Sequence, residues 1–236
     1  MSAATRADDA PDHPARDRLA LALDVGAWEV AEPLVAGLRP WFGIAKVGLE
    51  LYAEVGPDVV ARLHDLGVRV FADFKLYDIP NTVERAARVF GRRGVDFLNF
   101  ATVGGVEMVA AGVTGLRDGA KGSGQPSPIP LGVTVLTSER ETAAFAERLA
   151  VAVDASCEGV VCSAYEVAAV RDRGLRTMVP GVRFVGDDTN DQSRVATPGD
   201  AIARGADWLV VGRSVTRASD PRAAAVAVAD AVVGAR

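Results

Sequence analysis

The chain of 236 residues is long enough for one α/β barrel or two small domains, and its 49% hydrophobic and 24% charged residues are typical of a soluble globular protein. A net charge of −5 without a basic block argues against a nucleic-acid partner, and no apolar run approaches the roughly 18 residues that span a membrane. The two cysteines, Cys157 and Cys162, lack metal-site or CxxC spacing, so a cytoplasmic location is expected.

The N-terminal segment differs in composition from the rest of the chain. Residues 1–17 are polar and rich in Ala and Pro, without the apolar centre of a signal peptide. We therefore predict a disordered tail over residues 1–17 and a single catalytic domain over residues 18–236.

From Leu19 onward, short apolar stretches alternate with longer stretches rich in Ala, Val, Leu, Arg and Glu. The apolar stretches predict eight strands, at Leu19–Leu23, Phe42–Val47, Val68–Ala72, Phe97–Phe100, Ile129–Val135, Gly159–Val161, Leu175–Val179 and Trp208–Val211. The longer stretches predict helices, at Trp28–Leu38, Gly56–Leu66, Thr82–Arg92, Gly105–Leu116, Glu139–Ala152, Ala164–Arg173, Pro198–Ala203 and Pro221–Val233.

Continuous apolar strands that are each followed by a helix indicate a parallel sheet covered by helices. Eight such units in this length predict an α/β protein with the (β/α)8 TIM-barrel fold. An open doubly wound sheet is the alternative, but no GxGxxG motif follows the first strand. We expect Gly119–Pro130 to be a flexible loop rather than a domain linker, because the strand and helix alternation resumes after it.

The most informative segment is Asp73–Thr82 (DFKLYDIPNT), which directly follows the predicted strand Val68–Ala72. Residues i and i+2 of a strand face the same side, so Asp73 and Lys75 should point together from the strand's end. Barrel active sites form at the ends where strands finish. The segment therefore predicts a charged pair at the mouth of the barrel.

Asp78 extends this pair to a carboxylate, ammonium, carboxylate cluster. It lies where Ile79-Pro80 breaks the strand, and Thr82 is placed to cap the next helix. Two acids beside Lys75 keep it charged, which suits it to donating a proton. A purely structural ion-pair network is the alternative interpretation.

Two more charged residues are predicted at the same rim. Asp24 follows the first strand, although capping the next helix would also explain it. Lys46 ends the apolar second strand, where an unpaired ammonium would be costly to bury. We therefore expect Lys46 to have a partner such as Asp24, Asp73 or a ligand hydroxyl, rather than to be a surface lysine.

The segment after the eighth strand is a candidate phosphate site. Gly212 lets the backbone approach an anion, and Arg213 can bind one bidentately. Loops after strands seven and eight often hold phosphate in barrels, although an exposed arginine in a plain loop is the alternative.

The polar segment Arg183–Thr197 is placed to act as a lid over an anion held by Arg213. Its expected ligand contacts are Gln192 and Arg194, although an idle loop remains the alternative. The chain has only two histidines, His13 and His64, which argues against a histidine-based triad or a multi-histidine zinc site.

Together these residues resemble the orotidine 5′-phosphate decarboxylase family from Leu19 to about Pro221. The matching segments are LALD at 21–24, KVG at 46–48, DFKLYDIPNT at 73–82, GVTVLTS at 132–138, VCS at 161–163, PGVR at 180–183, DQSRVATP at 191–198 and VGR at 211–213. DxKxxD alone is shared with sugar-phosphate relatives, but in combination with IPNT, DQxRxxTP and VGR it is much more specific. One departure is Ala101, which stands where the family usually has a histidine after strand four.

The resemblance implies a cofactor-free and metal-free decarboxylation of orotidine 5′-monophosphate to UMP in de novo pyrimidine synthesis. It implies that Lys75 protonates C6, that Asp73 lies beside the substrate carboxylate, and that Asp78 completes the charge array.

The resemblance also implies a set of substrate contacts and a homodimer. Asp78 and Thr82 would enter the neighbouring subunit's site, so the active sites would be shared. The implied substrate-binding residues are Asp24 and Lys46 for the ribose, Thr137 and Ser138 for the pyrimidine edge, Gln192, Gly212 and Arg213 for the phosphate, and Arg183.

Two other functions remain open from the sequence. A sugar-phosphate lyase or decarboxylase of the same superfamily would use a divalent metal to stabilise an enediolate. A nucleotide-binding protein without catalysis would retain the pocket and bind UMP without turnover. A metal-dependent phosphosugar epimerase fits less well, because such sites usually need histidine ligands and only His64 is available.

Overall fold

The computed structural model describes residues 11–135, 143–183 and 196–235. In these residues eight parallel strands close into a barrel in chain order, with the first strand paired to the eighth, which confirms the predicted (β/α)8 fold. The strands are β1 (Leu19–Leu23), β2 (Ile44–Val47), β3 (Arg69–Leu76), β4 (Phe97–Ala101), β5 (Ile129–Val133), β6 (Gly159–Val161), β7 (Arg176–Val179) and β8 (Trp208–Val211).

Helices follow the strands and cover the outside of the barrel. They are α1 (Trp28–Leu38), α2 (Leu49–Val55), α3 (Val59–Asp65), α4 (Pro80–Arg92), α5 (Gly105–Gly122), α6 (Phe145–Asp154), α7 (Val167–Arg171), α8 (Pro198–Ala203), α9 (Arg213–Thr216) and α10 (Pro221–Gly234). In the part of the chain that the structure describes, none of them has both the length and the apolar character needed to cross a membrane.

The interior of the barrel has an apolar floor. Side chains near the start of the strands, including Ile44, Phe97 and Trp208, pack together with Phe71 and Met178 in a buried cluster. The ring of Phe97 meets that of Trp208 edge-on, with centroids 5.0 Å apart. This floor fills the lower barrel interior, and the space above it, at the carboxyl ends of the strands, is where barrel active sites form.

Strand β3 is longer than predicted and carries the charged pair within it. It continues to Leu76, so Asp73 and Lys75 lie in the strand rather than beyond its end. The register between β3 and β4 shifts between Ala72 and Leu76, and Lys75 adopts a left-handed backbone with φ of 50°. The prediction took strands to be continuous apolar runs, so it missed this extension, which contains the polar residues Asp73 and Lys75.

The start of α4 corrects the predicted role of Thr82. The helix begins at Pro80, and Ile79 occupies the position before it, so Thr82 lies inside the first turn instead of capping it. Proline suits this first position because its missing N–H would have no partner within the helix.

Two other predicted boundaries were wrong. The helix predicted at Gly56–Leu66 opens with a 3₁₀ turn, Gly56–Asp58, and is α-helical only over α3, Val59–Asp65. The helix α2 before it was not predicted, and it ends at Gly56, whose φ of 73° is in the left-handed region. The first residues of the predicted loop Gly119–Pro130 belong to α5, since Gly119 packs directly on the Arg88 carbonyl of α4. A larger side chain would not fit there, so this glycine serves close helix packing instead of loop flexibility.

The folded domain also begins earlier than predicted. Ala15 is completely buried, and Arg16–Arg18 form a short 3₁₀ helix. The Arg16 guanidinium donates hydrogen bonds to the carbonyls of Arg39 and Gly67 at 2.9 and 2.6 Å. These contacts hold residues 11–17 on the barrel, whereas residues 1–10 of the predicted tail lie outside the described residues.

Candidate active site

A cavity of about 470 Å³ lies at the carboxyl ends of the strands. Seven of the residues selected from the sequence line it, and they come from five different strand ends. They are Asp24, Lys46, Asp73, Lys75, Arg183, Gly212 and Arg213. Parallel strands in a closed barrel bring these distant segments together, as the sequence predicted.

Four charged side chains of the cavity form a continuous chain of alternating sign. Lys46 Nζ lies 2.9 Å from Asp24 Oδ1 and 3.3 Å from Asp73 Oδ2. Asp73 Oδ1 in turn accepts a hydrogen bond from Lys75 Nζ at 2.7 Å. This order confirms that Lys46 has carboxylate partners, and it shows that Asp73 contacts both lysines.

Burial varies along the chain of charges. The side chains of Lys46 and Asp73 are only 10% and 16% exposed, whereas those of Lys75 and Asp24 are 40% and 62% exposed. The inner pair therefore forms a buried ionic anchor, and Lys75 presents its ammonium to the cavity.

The protonation of the inner pair follows from this arrangement. Burial raises the pKa of Asp73, but the charges of Lys46 and Lys75, with hydrogen bonds from Lys75 and Asn99, outweigh it and hold the pKa below its usual value. Burial lowers the pKa of Lys46, but Asp73 and Asp24 outweigh it, so the pKa lies above its usual value. Both groups are therefore charged at neutral pH.

Replacing Lys46 with Met is expected to destabilise the fold by about 3 kcal/mol at pH 7, because Asp73 loses a buried partner. In the native protein Asp73 contributes stability above pH 3.8, its ordinary value, and this is lost as the pH falls through its lower folded pKa. Removing Lys46 raises that folded pKa, so the penalty should shrink towards acidic pH. Urea unfolding at pH 7 and pH 4 measures both quantities.

Lys121 supplies the matched control, because it is an exposed lysine near the end of α5. Lys121→Met should change the free energy of unfolding by no more than about 0.5 kcal/mol. An equal penalty for Lys46→Met at both pH values would show that lost packing, and not lost charge, causes the destabilisation.

Asn99 is a site residue that sequence reasoning missed. It is the only polar side chain in the apolar strand β4 and is completely buried. Its Nδ2 donates to Asp73 Oδ1, and its Oδ1 accepts the Lys75 backbone N–H, both at 2.7 Å. The signal in the sequence was a polar residue two positions after the inward-facing Phe97.

Arginine and glycine residues that follow β7 and β8 line another part of the cavity. Gly212 precedes α9, and Arg213 begins it. Arg183 follows the neighbouring strand β7 and also lines the cavity, and its Nε is buried without a hydrogen-bond partner among the described residues. Backbone pairing of Val182 with Ala196 joins the two sides of the predicted lid at its base. A buried guanidinium N–H that has no partner among the described residues favours an anionic ligand here.

Glu50 and Arg217 also line the cavity and were not selected from the sequence. Glu50 belongs to α2, which was not predicted, and Arg217 follows the VGR segment by four residues.

The structure does not bring every predicted site residue to this cavity. Asp78 and Thr82 are exposed and do not appear among the described residues that line it. The Asp78 carboxylate accepts the backbone N–H of Ile79 at 2.7 Å. The remaining predicted contacts lie outside the described residues, namely Thr137, Ser138, Gln192 and Arg194.

The cavity thus combines two functions in one space. Its buried Asp73 holds the Lys75 ammonium, which can stabilise negative charge and donate a proton. Its guanidinium groups can bind a phosphate or carboxylate that is remote from the lysine. Such a site suits an anionic substrate whose reaction develops negative charge near Lys75.

Comparisons with known proteins agree with this architecture. Residues 17–228 match the model of the orotidine 5′-phosphate decarboxylase / HUMPS family. A protein from Moorella thermoacetica named orotidine 5′-phosphate decarboxylase is 42% identical over 231 residues, covering 91% of this chain and 92% of that protein. One of the same name from Nitratidesulfovibrio vulgaris is 44% identical over 227 residues, covering 89% and 95%.

Solved structures show the same relationship. The crystal structure of orotidine 5′-phosphate decarboxylase from Lactobacillus acidophilus superposes with a TM-score of 0.74 at 31% identity, covering 94% of this chain and 99% of that one. An uncharacterised conserved protein from Geobacillus kaustophilus gives a TM-score of 0.75 at 33% identity, covering 91% and 99%. On the strength of its matched family model and these full-length relatives, the chain belongs to the orotidine 5′-phosphate decarboxylase / HUMPS family.

Proposed function

We propose that this protein decarboxylates orotidine 5′-monophosphate to UMP and CO₂ in de novo pyrimidine synthesis. The observation that carries this proposal is the alternating Asp24–Lys46–Asp73–Lys75 chain on the wall of the cavity that also contains Arg213. The names of the nearly full-length relatives supply the substrate.

The chemical difficulty of this reaction matches the charge array. When the bond from C6 to the carboxylate breaks, its electron pair stays on C6 in an orbital that the ring does not delocalise. A fixed ammonium at Lys75 stabilises this charge as it develops, because the site does not have to reorganise. Lys75 Nζ then transfers a proton to C6 and is reprotonated from solvent.

Asp73 has two tasks in this mechanism. It holds the Lys75 ammonium through the 2.7 Å hydrogen bond, and its charge lies beside the place of the substrate carboxylate. That carboxylate leaves as neutral CO₂, so the repulsion is relieved as the reaction proceeds. Asp78 completes the array from the neighbouring subunit.

The remaining cavity residues bind the parts of the substrate that do not react. Asp24 and Lys46 bind the ribose hydroxyls, and Thr137 and Ser138 bind the pyrimidine edge. The phosphate is held by Arg213, Gly212, Gln192 and Arg183. This binding energy closes the Arg183–Thr197 segment, excludes water and aligns the charges.

The test is to add purified protein to orotidine 5′-monophosphate in EDTA and follow the loss of the orotate absorbance. Rapid loss is expected, because no step in the mechanism requires a metal. Metal-dependent turnover of a sugar phosphate, with no effect on the orotate absorbance, would favour the HUMPS branch of the family. Tight UMP binding without turnover would favour a nucleotide-binding protein.

The proposal includes a homodimer with shared sites. Asp78 lies on the surface between the exposed apolar side chains of Tyr77 and Ile79. A second subunit that covers these side chains would take the Asp78 carboxylate into its own cavity. The cytoplasmic location remains a prediction.

Co-expression of two inactive variants, Lys75→Ala and Asp78→Ala, is expected to restore activity. In a mixed dimer, one site has an intact Lys75 from one chain and an intact Asp78 from the other. Random pairing should recover about a quarter of the native activity per chain. Differently tagged chains allow the mixed dimer to be purified, and an inactive mixed dimer would contradict a shared site.

A further inference from the structure

We infer that Asn99 is a positioning residue for the Asp73–Lys75 pair, because its buried carboxamide holds both the carboxylate and the backbone that presents the ammonium. This inference rests on the proposed decarboxylation. It assigns to Asn99 a role in that reaction through its contacts with Asp73 and Lys75, and not through contact with the substrate. In the described part of the chain, Asn99 lies behind the residues that line the cavity.

The first half of the argument concerns the backbone of β3. The pairing of β3 with β4 is interrupted between Ala72 and Leu76, and Lys75 has the left-handed φ of 50°. Lysine rarely adopts this strained backbone conformation, so the surroundings must hold it. The Lys75 N–H donates to the Asn99 side chain at 2.7 Å instead of to a carbonyl of the ladder. Asn99 therefore stabilises the bulge from which Lys75 reaches the cavity.

The second half concerns the Asp73 carboxylate. Its Oδ1 accepts hydrogen bonds from both Lys75 Nζ and Asn99 Nδ2, each at 2.7 Å, while its Oδ2 faces Lys46 Nζ at 3.3 Å. These contacts fix the rotation of the carboxylate. Without the amide donor, Asp73 could turn, and the ammonium it holds would move with it.

The carboxamide of Asn99 satisfies both partners at once, because it carries a donor and an acceptor. A backbone N–H can only donate and an ionised carboxylate can only accept, so the orientation of the Asn99 carboxamide is determined. The charged groups that face this position are Asp73 and Lys75 from β3 and Lys46 from β2. Lys46 also contacts Asp24, which directly follows β1. On the other side, Asn99 is in register with the apolar Leu131 of β5. The other donors that contact Asp73 among the described residues are the ammonium groups of Lys46 and Lys75.

Asn99→Asp distinguishes a positioning role from a merely structural one, because only a positioning role predicts a loss of kcat that depends on pH. The variant keeps the shape and the acceptor, but it puts a second carboxyl group beside Asp73. Like charges raise the pKa of such a pair, and the protonated form of the new side chain regains a donor. We expect kcat to fall roughly 100-fold at pH 8 and to recover at least tenfold, relative to the native enzyme, as the pH is lowered to 5.5.

Asn99→Ala removes the donor at every pH, so its kcat should also fall roughly 100-fold, but with a ratio to the native enzyme that does not change with pH. The affinity of both variants for UMP should stay within about threefold, because Asn99 holds no part of the ligand. Thr177→Val is the matched control. Thr177 is equally buried and has hydrogen bonds to Asp207 in the lower barrel, so its loss should affect stability and not kcat.

A second measurement does not depend on turnover. Carbon-13 NMR of labelled aspartate follows the titration of Asp73, and Asn99→Ala should raise its pKa because a hydrogen bond to the charged form is lost. If the native protein is inactive but Asn99→Ala still raises the pKa of Asp73, the proposed decarboxylation is overturned and the positioning role is not. The positioning role is overturned if folded Asn99 variants have the same kcat as Thr177→Val, or if the loss of kcat in Asn99→Asp does not change with pH. It is also overturned if Asn99→Ala leaves the pKa of Asp73 unchanged.

Discussion

Lys75→Ala is expected to reduce kcat on orotidine 5′-monophosphate by at least about 10⁴-fold, because proton donation and fixed-charge stabilisation are both lost. That factor corresponds to about 5.5 kcal/mol of transition-state stabilisation. UMP should still bind with nearly native affinity, because the ammonium acts on the reacting carbon and the phosphate and ribose contacts remain. Loss of the orotate absorbance measures turnover, and isothermal titration with UMP measures binding.

The control for this prediction is Lys121→Ala. Lys121 is exposed near the end of α5, outside the described cavity lining, and its replacement removes the same charge from the protein. The control should keep native turnover. Near-normal activity of Lys75→Ala would refute the role of Lys75 as proton donor, whatever the rate of the native enzyme.

Arg213→Ala is expected to lower kcat/KM by roughly 10²- to 10⁴-fold, since two charge-assisted hydrogen bonds are worth about 3–6 kcal/mol. The phosphate is remote from the bond that breaks, so this loss would show that its binding energy supports catalysis at C6. Steady-state kinetics should show an increase in KM together with a decrease in kcat, because closure of the lid depends on the same contact.

The nucleoside orotidine is the sharpest control for Arg213. It lacks the phosphate, so the native enzyme and Arg213→Ala should process it with similar, low efficiency. Arg171→Ala provides a second control, because Arg171 binds the Gly205 carbonyl away from the cavity. An equal loss on orotidine and on orotidine 5′-monophosphate would mean that Arg213 supports the structure instead of the phosphate.

The local charge pattern was sufficient to find much of the candidate site. Asp73 and Lys75 alternate along one strand, and Lys46 ends an apolar run where it needed a partner. Both features are local, and the observed contacts with Asp24 and Asp73 agree with them. The sequence could not show which oxygen of Asp73 faces which lysine, because that depends on the packing of β2 against β3.

Asn99 shows why a residue of the site was missed. On its own, an asparagine in an apolar strand has no evident partner, and its function depends on the neighbouring strand. The interruption of the β3–β4 ladder brings the Lys75 N–H and the Asp73 carboxylate to its amide. Register shifts arise from pairing between strands, so residue patterns within one strand do not reveal them.

The sequence by itself determined the eight strand and helix units, the closed-barrel class and the segments that carry charge to its rim. These follow from hydrophobic runs and from the rule that parallel strands end on one side. Only the tertiary structure decided how far β3 extends, that residues 11–17 pack on the barrel, and that Asp73 joins two lysines and an amide. These depend on burial, on close contacts and on register between distant segments, which are properties of the folded chain.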